Sequence, residues 1–224
     1  MRQLITIITL SLFVAAFFDF NSRDNENIKE LTISISAPAN LHPVIDTIVF
    51  SKVEKTTGSY PWKYEWNKFI SSEIIRHKEV FIDNDSIYKQ DLVRLCPSYY
   101  NASENEKVAL WTLLIASMAK FESNFNPNTR YQEPAPLNVF SEGLLQLSYG
   151  DETRYEDVPL DPGKQNILIP EANLKTGVAI FAKQLEIRKS IFTNQHFYWS
   201  VLTNKQNEII QFFQINAEEL NVCN

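Results

Sequence analysis

The sequence predicts a mostly α-helical domain with irregular loops in its middle, and three observations lead there. Only five glycines occur in 224 residues, too few for a glycine-punctuated all-β fold or a nucleotide-binding α/β fold. Apolar residues recur at helical spacing from Tyr60 onward and again across residues 171–192. Between these stretches lies "EKVALWTLLIASMAKFE", residues 106–122, apolar on nearly every face. It is too short and too interrupted to span a membrane, so it is expected to be a central helix with others packed around it.

The elements follow in order. Arg2 precedes an uncharged run, Leu4 to Phe18, whose 15 residues suit a signal-peptide core better than a membrane span. Export to the periplasm or beyond is expected, with residues 1–18 as the leader. An uncleaved membrane anchor is the alternative, and a buried N-terminal helix a third reading, disfavoured by the polar stretch Asn21–Glu30. Residues 19–59 form an extension without an interpretable motif, in which "LTISIS" (31–36) and "VIDTIVF" (44–50) are strand candidates. The main domain is expected over 60–224.

Within it, Trp62, Trp66, Phe69, Ile70 and Ile74 share one face of a first helix. Asp85-Ser86 opens a short second helix that ends before Cys96-Pro97. "DNDSIY" from Asp83 begins like a calcium loop, yet Tyr88 stands where that loop needs glycine, so it reads as a helix cap. Ser103 with Glu106 is a capping box for the central helix. Pro127, Pro134 and Pro136 keep 123–140 irregular, with room for a small hairpin or an extended cleft wall. "EANLKTGVAIFAKQLEIRKSIF" (171–192) is amphipathic, and "FYWSVLT" and "QNEIIQFFQ" are expected to be the last helices.

Composition excludes some functions. The net charge is -6 and no basic block occurs, which argues against a nucleic-acid surface. Two cysteines and three scattered histidines, His42, His77 and His196, present no zinc pattern, and no cofactor or metal is expected. In an exported chain Cys96 and Cys223 would join the C-terminal tail to the body as a disulfide, although spacing leaves the pairing open. Nothing in the composition calls for an oligomer, so a monomer is expected.

Glu122 ends the apolar helix. A glutamate at a helix end is commonly just a solvated charge. Beside apolar walls, however, a carboxyl group has its pKa raised and stays protonated near neutral pH, ready to protonate a glycosidic oxygen. The helix dipole pushes the same way at a C-terminus.

The more specific signal is the pairing of Glu122, Ser123, Phe125, Asn126 and Pro127 with Ser141, Gly143, Leu144, Leu145 and Gln146 about twenty residues on, followed by Asn173, Leu174 and Gly177 opening a later helix. Over roughly residues 100–190 this resembles the lysozyme-like transglycosylases, which include the soluble lytic transglycosylases of bacterial cell walls and, more distantly, goose-type lysozyme. Leu145 stands where that family usually has Met, and "FYWSVLT" replaces its late Ala-Ala-Tyr-Asn element. The resemblance implies a lysozyme-like (α+β) domain with little β structure, a peptidoglycan glycan strand as substrate, and Glu122 as catalytic acid. It further implies that Ser123 bonds near Glu122 or the sugar N-acetyl group, that Gln146 lies on the cleft floor, that Ser141 and Gly143 shape the backbone beside the substrate, and that Tyr198 supports Glu122.

In a transglycosylase Glu122 would protonate the leaving oxygen of the N-acetylmuramic acid–N-acetylglucosamine bond, then deprotonate the muramoyl C6 hydroxyl as a 1,6-anhydro ring closes. A hydrolase on the same fold would use a second carboxylate, for which Glu133, Glu142 and Asp151 are the candidates. Glu133 is favoured, while Glu142 is expected to point outward. A non-catalytic glycan-binding protein is the third reading, and the lack of positive charge fits a periplasmic enzyme working at close range or with a protein partner. Tyr131, Phe140, Tyr149, Tyr155 and Trp199 are candidate sugar-stacking aromatics, Tyr149 foremost. Trp62, Trp66 and Trp111 are expected in the core.

Overall fold

The computed structural model describes residues 60–155, 158–193, 198–219, 221 and 223. The leader, the extension over 19–59 and its two strand candidates lie outside these residues.

The central helix is α3, Glu104–Ser123; before it come α1, Glu65–Arg76, and α2, Lys89–Leu95. Its capping box is formed: Ser103 Oγ accepts the Glu106 N–H, and the Glu106 carboxylate accepts the Ser103 N–H at 2.7 Å. Every residue from Val108 to Ala119 is buried, and each large aliphatic there contributes about 1.5–3 kcal/mol on leaving water. The two hydroxyls in that stretch stay satisfied by bonding back one turn, Thr112 to the Val108 carbonyl at 2.8 Å and Ser117 to the Leu113 carbonyl at 2.7 Å.

Helices α1 and α7 (Gln206–Glu219) pack against α3, and α5 (Pro170–Arg188) packs against α1. Trp62, Trp66, Ile70 and Ile74 are buried as their spacing predicts. Trp111 donates to Tyr99 Oη at 2.9 Å and meets Phe81 edge-on at 5.0 Å, so its polar edge and its ring are both used inside the core. A five-residue π-helical turn, Glu79–Asp83, and a 3₁₀ turn, Asp85–Tyr88, carry the chain from α1 into α2. Cys96, at the end of α2, is disulfide-bonded to Cys223, tying the C-terminal chain to the body.

Beyond α3 the chain forms one antiparallel hairpin, β1 (Arg130–Gln132) and β2 (Phe140–Glu142), in the register Arg130↔Glu142. The turn is closed by Glu133 N–H on the Val139 carbonyl at 2.8 Å, and Ala135–Pro136 is cis. A tight turn from Gly143 to Gln146 follows, then the short helix α4, Gly150–Arg154. Helix α5 stops at Arg188, short of the expected 192, because Lys189 adopts the left-handed region at φ 57°. The expected helix over "FYWSVLT" is only one turn, α6, Val201–Asn204, with Tyr198 just before it.

Candidate active site

Helix α3 ends where Asn124 and Phe125 both take positive φ, 52° and 63°. The Asn124 N–H returns to the Lys120 carbonyl at 3.1 Å, and Lys120 Nζ bonds the Asn124 side chain. This reversal folds Phe125 into the core at 1% exposure, edge-on to Trp62. Glu122 is left at the rim of a cleft of about 800 Å³.

Its carboxyl is in an unusual state. Oε1 is buried and has no hydrogen-bond partner in the protein. Burial pushes the pKa up, the Lys205 ammonium pulls it back, and the Glu133 carboxylate adds to the rise; the result is about 7. Burial thus favours the protonated form of Glu122, and the residue lines a cleft wide enough for a ligand.

The hairpin supplies the adjoining wall. Tyr131, Glu133, Leu137, Val139 and Ser141 line the cleft, and Ser141 Oγ donates to Glu133 Oε1 at 2.6 Å, orienting the second carboxylate. Glu142 does not point outward as expected: it is 5% exposed and ion-paired to Arg130 Nε at 2.7 Å. The two residues face each other across the hairpin register, and the Arg130 guanidinium also lies over the Phe140 ring at 4.9 Å. That pairing removes Glu142 from the pool of catalytic carboxylates and stiffens the wall.

The cleft floor is the turn 143–146. Gly143 has φ 79°, and a Cβ there would sit 2.3 Å from Asn173 Nδ2, so only glycine fits. Gln146, itself at φ 49°, lines the cleft and donates through Nε2 to the Gly143 carbonyl at 2.8 Å. One buried side chain, Asn173 at the start of α5, holds the turn from behind. Its Oδ1 accepts the Leu145 N–H at 2.9 Å, and its Nδ2 donates to the Glu142 and Ile167 carbonyls, both at 3.0 Å. Gly177, one turn further along α5, admits Leu145: a Cβ there would meet Leu145 Cδ1 at 2.2 Å. The three segments matched in sequence are thus the helix end, the turn and the helix that clamps it.

The far end of the cleft is built on Asp151. Its buried carboxylate accepts the Ser148 N–H at 2.9 Å and the hydroxyl of Tyr198. Burial, and then the Asp151 charge, drive the Tyr198 pKa far up, so the phenol remains a donor. Tyr198 lines the cleft but bonds Asp151 where support of Glu122 was expected, because α4 brings Asp151 under its hydroxyl.

Other expectations also change. Ser123 is buried and bonds back to the Ala119 carbonyl at 3.1 Å, so its hydroxyl serves the helix end. Tyr149 accepts the Ile167 N–H at 3.0 Å and packs on the core, which takes it out of sugar stacking. Trp199 is 2% exposed and donates to the Leu145 carbonyl at 2.7 Å; it supports the floor from beneath. Tyr155 bonds Gln184 outside the cleft, whereas Tyr131 is 56% exposed on the cleft wall and remains available to a ring.

Arg154, Thr129 and Lys205 were not picked out in sequence. Thr129 lines the cleft, and its carbonyl accepts the Gly143 N–H at 2.8 Å. Asp151 carries a legible mark, a Ser-x-x-Asp spacing at a helix start, but nothing in sequence points Lys205 at Glu122. Among the described residues no group of three His, Cys, Asp or Glu is placed to hold a metal ion, and no helix is long and apolar enough to cross a membrane.

No protein-family model matches the chain, and no curated protein matches it. Among solved structures, the wild-type form 2 of Bd0314 DslA matches with a TM-score of 0.56 at 24% identity. Two glutamate-to-glutamine mutants of the same protein match at TM-scores of 0.57 and 0.53, each at 22% identity. All three alignments cover 71% of this chain and 91% of the other. With its buried central helix, one small hairpin among the described residues and this likeness, the chain has a mostly-α, lysozyme-like fold.

Proposed function

We propose that the protein cleaves the glycan strand of peptidoglycan by hydrolysis of the β-1,4 bond between N-acetylmuramic acid and N-acetylglucosamine. The observation that carries this is a pair of carboxyl groups in one cleft with different partners: Glu122 half-buried, its Oε1 without a hydrogen bond and its pKa raised by burial to about 7, and Glu133 oriented by Ser141 on the hairpin wall. A carboxyl kept protonated by burial can serve as acid while a second carboxylate in the same cleft serves as base.

Glu122 gives its proton to the glycosidic oxygen as the C1–O bond breaks. Glu133 takes a proton from a water that attacks C1 from the opposite face, inverting the anomeric centre. The product pair is a reducing N-acetylmuramic acid end and a free 4-hydroxyl. Supporting this division, the two glutamates substituted in Bd0314 DslA lie eleven positions apart in that protein's own numbering. Glu122 and Glu133 are also eleven apart. The leader read over residues 1–18 would deliver the enzyme to the wall as a monomer, with no cofactor in the reaction.

Transglycosylation is the second reading, favoured by the likeness of "ESNFNP" and "SEGLLQLS" to the lytic transglycosylases. It needs only Glu122, acting as acid and then as base on the C6 hydroxyl. Mass spectrometry of purified peptidoglycan digested by the wild type, Glu122→Gln and Glu133→Gln separates the two. Hydrolysis predicts reducing ends that disappear in both variants. Anhydromuramoyl ends that survive Glu133→Gln would establish transglycosylation, and no release by the wild type would leave a glycan-binding role.

A further inference from the structure

A second groove, of about 560 Å³, opens on the outer face of α5 and shares one residue, Arg154, with the cleft. Its volume falls in the range of about 300–1,000 Å³ typical of small-ligand sites. The partition between the two is aromatic: Tyr155 stands beside Tyr198 at 6.4 Å, and Tyr155 Oη accepts from Gln184 on the groove side at 3.1 Å. Ala179, Ala182 and Ile187 make the apolar part, with Ile187 61% exposed. Lys183 is matched by Glu186 at 2.9 Å, which leaves Arg154 as the cation where groove and cleft meet. Arg154 makes no ion pair among the described residues, whereas Arg130, the other arginine of the cleft, is committed to Glu142.

We infer that this groove receives the peptide carried by a muramic acid residue, with Arg154 pairing a peptide carboxylate at the branch point. The inference rests on the reading of the cleft as a glycan-strand site. A linear polysaccharide lying along Glu122 and Glu133 has no use for a side groove. A strand bearing short peptides on every second sugar has one, and its peptides bring what the groove accommodates: small methyl side chains for Ala179, Ala182 and Ile187, and free carboxylates for the Arg154 guanidinium, which has no ion-pair partner among the described residues. Arginine suits this position because its fork binds a carboxylate through two parallel hydrogen bonds. Residues beyond the reacting bond then contribute to positioning the sugar at Glu122.

The test compares the disaccharide N-acetylglucosaminyl–N-acetylmuramic acid with the same disaccharide carrying a tetrapeptide, by calorimetric titration of the full chain as Glu122→Gln, with and without Arg154→Ala or Ile187→Asp. One charge-assisted contact predicts that the peptide-bearing ligand binds about 10-fold more tightly. Arg154→Ala is expected to bring the two ligands within about 2-fold of each other, and Ile187→Asp to reduce the advantage in part. Equal affinities in the parent, no binding of either ligand, or an advantage that survives Arg154→Ala overturns the inference. Digestion by the wild type reports on the cleft separately: a peptide advantage in binding with no glycan cleavage would retain the groove and discard the catalytic reading.

Discussion

Glu122→Gln should make the protein more stable at alkaline pH, and the size of the gain follows from the carboxyl's surroundings. In the unfolded chain a glutamate titrates at its ordinary value, 4.5; in the folded protein burial raises this to about 7. Below 4.5 Glu122 is neutral in both states and its burial is tolerated. As the pH climbs through this window the unfolded chain gives up the proton first, and the folded state loses stability at about 1.4 kcal/mol per pH unit. Across the window that amounts to about 3 kcal/mol, and to about 2–3 kcal/mol once water reaching the half-open rim is allowed for. Glutamine has nearly the same shape and no charge to bury.

Urea unfolding of both proteins at pH 4, 6 and 8 reads the effect. The stability difference should be near zero at pH 4 and favour Glu122→Gln by about 2–3 kcal/mol at pH 8, with the other ionisable groups common to both proteins and cancelling in the comparison. A difference independent of pH, or one favouring the wild type at pH 8, would refute the claim that Glu122 is held protonated by burial. In the proposed reaction the same proton is the one given to the glycosidic oxygen, so turnover should fall as pH rises through about 7.

Two further outcomes follow from neighbours of the cleft. Lys205→Ala removes the cation that pulls the Glu122 pKa back, so the alkaline limb of the pH–rate profile should move to higher pH; an unmoved limb would show that the ammonium is fully screened. Asn173→Ala orphans the Leu145 N–H and the Ile167 carbonyl and leaves the Glu142 carbonyl with the Leu147 N–H alone. At about 1–3 kcal/mol for each buried group left unmade, chemical denaturation should show a loss of about 3–5 kcal/mol, and a loss below about 1 kcal/mol would mean that water replaces the amide.

How much of this was legible in sequence depended on whether a feature is local. The central helix, its capping box and the burial of Trp62, Trp66, Ile70 and Ile74 are repeating or short-range patterns, and they stand in the structure as read. Glu122 was legible for the same reason: a carboxylate at the end of an all-apolar helix conflicts with its surroundings within one turn. Glu142 was not. Its inward turn depends on Arg130, twelve positions earlier, being brought opposite by the hairpin register. Tyr198 was read for the right cleft and the wrong partner, because Asp151 reaches it across 47 positions and no pattern links them.

Asn173 falls between these cases, and it shows why the matched segments belong together. As a motif letter it carried no chemistry. In the fold, a single buried amide meets three backbone groups on either side of the turn, and Gly143 and Gly177 are small because Asn173 and Leu145 occupy the space their side chains would take. Replacing either glycine would push directly on the floor under Gln146. The spacing from Gly143 to Gly177 therefore records one packing constraint, a turn clamped onto a helix, and that constraint sets where the floor lies relative to Glu122.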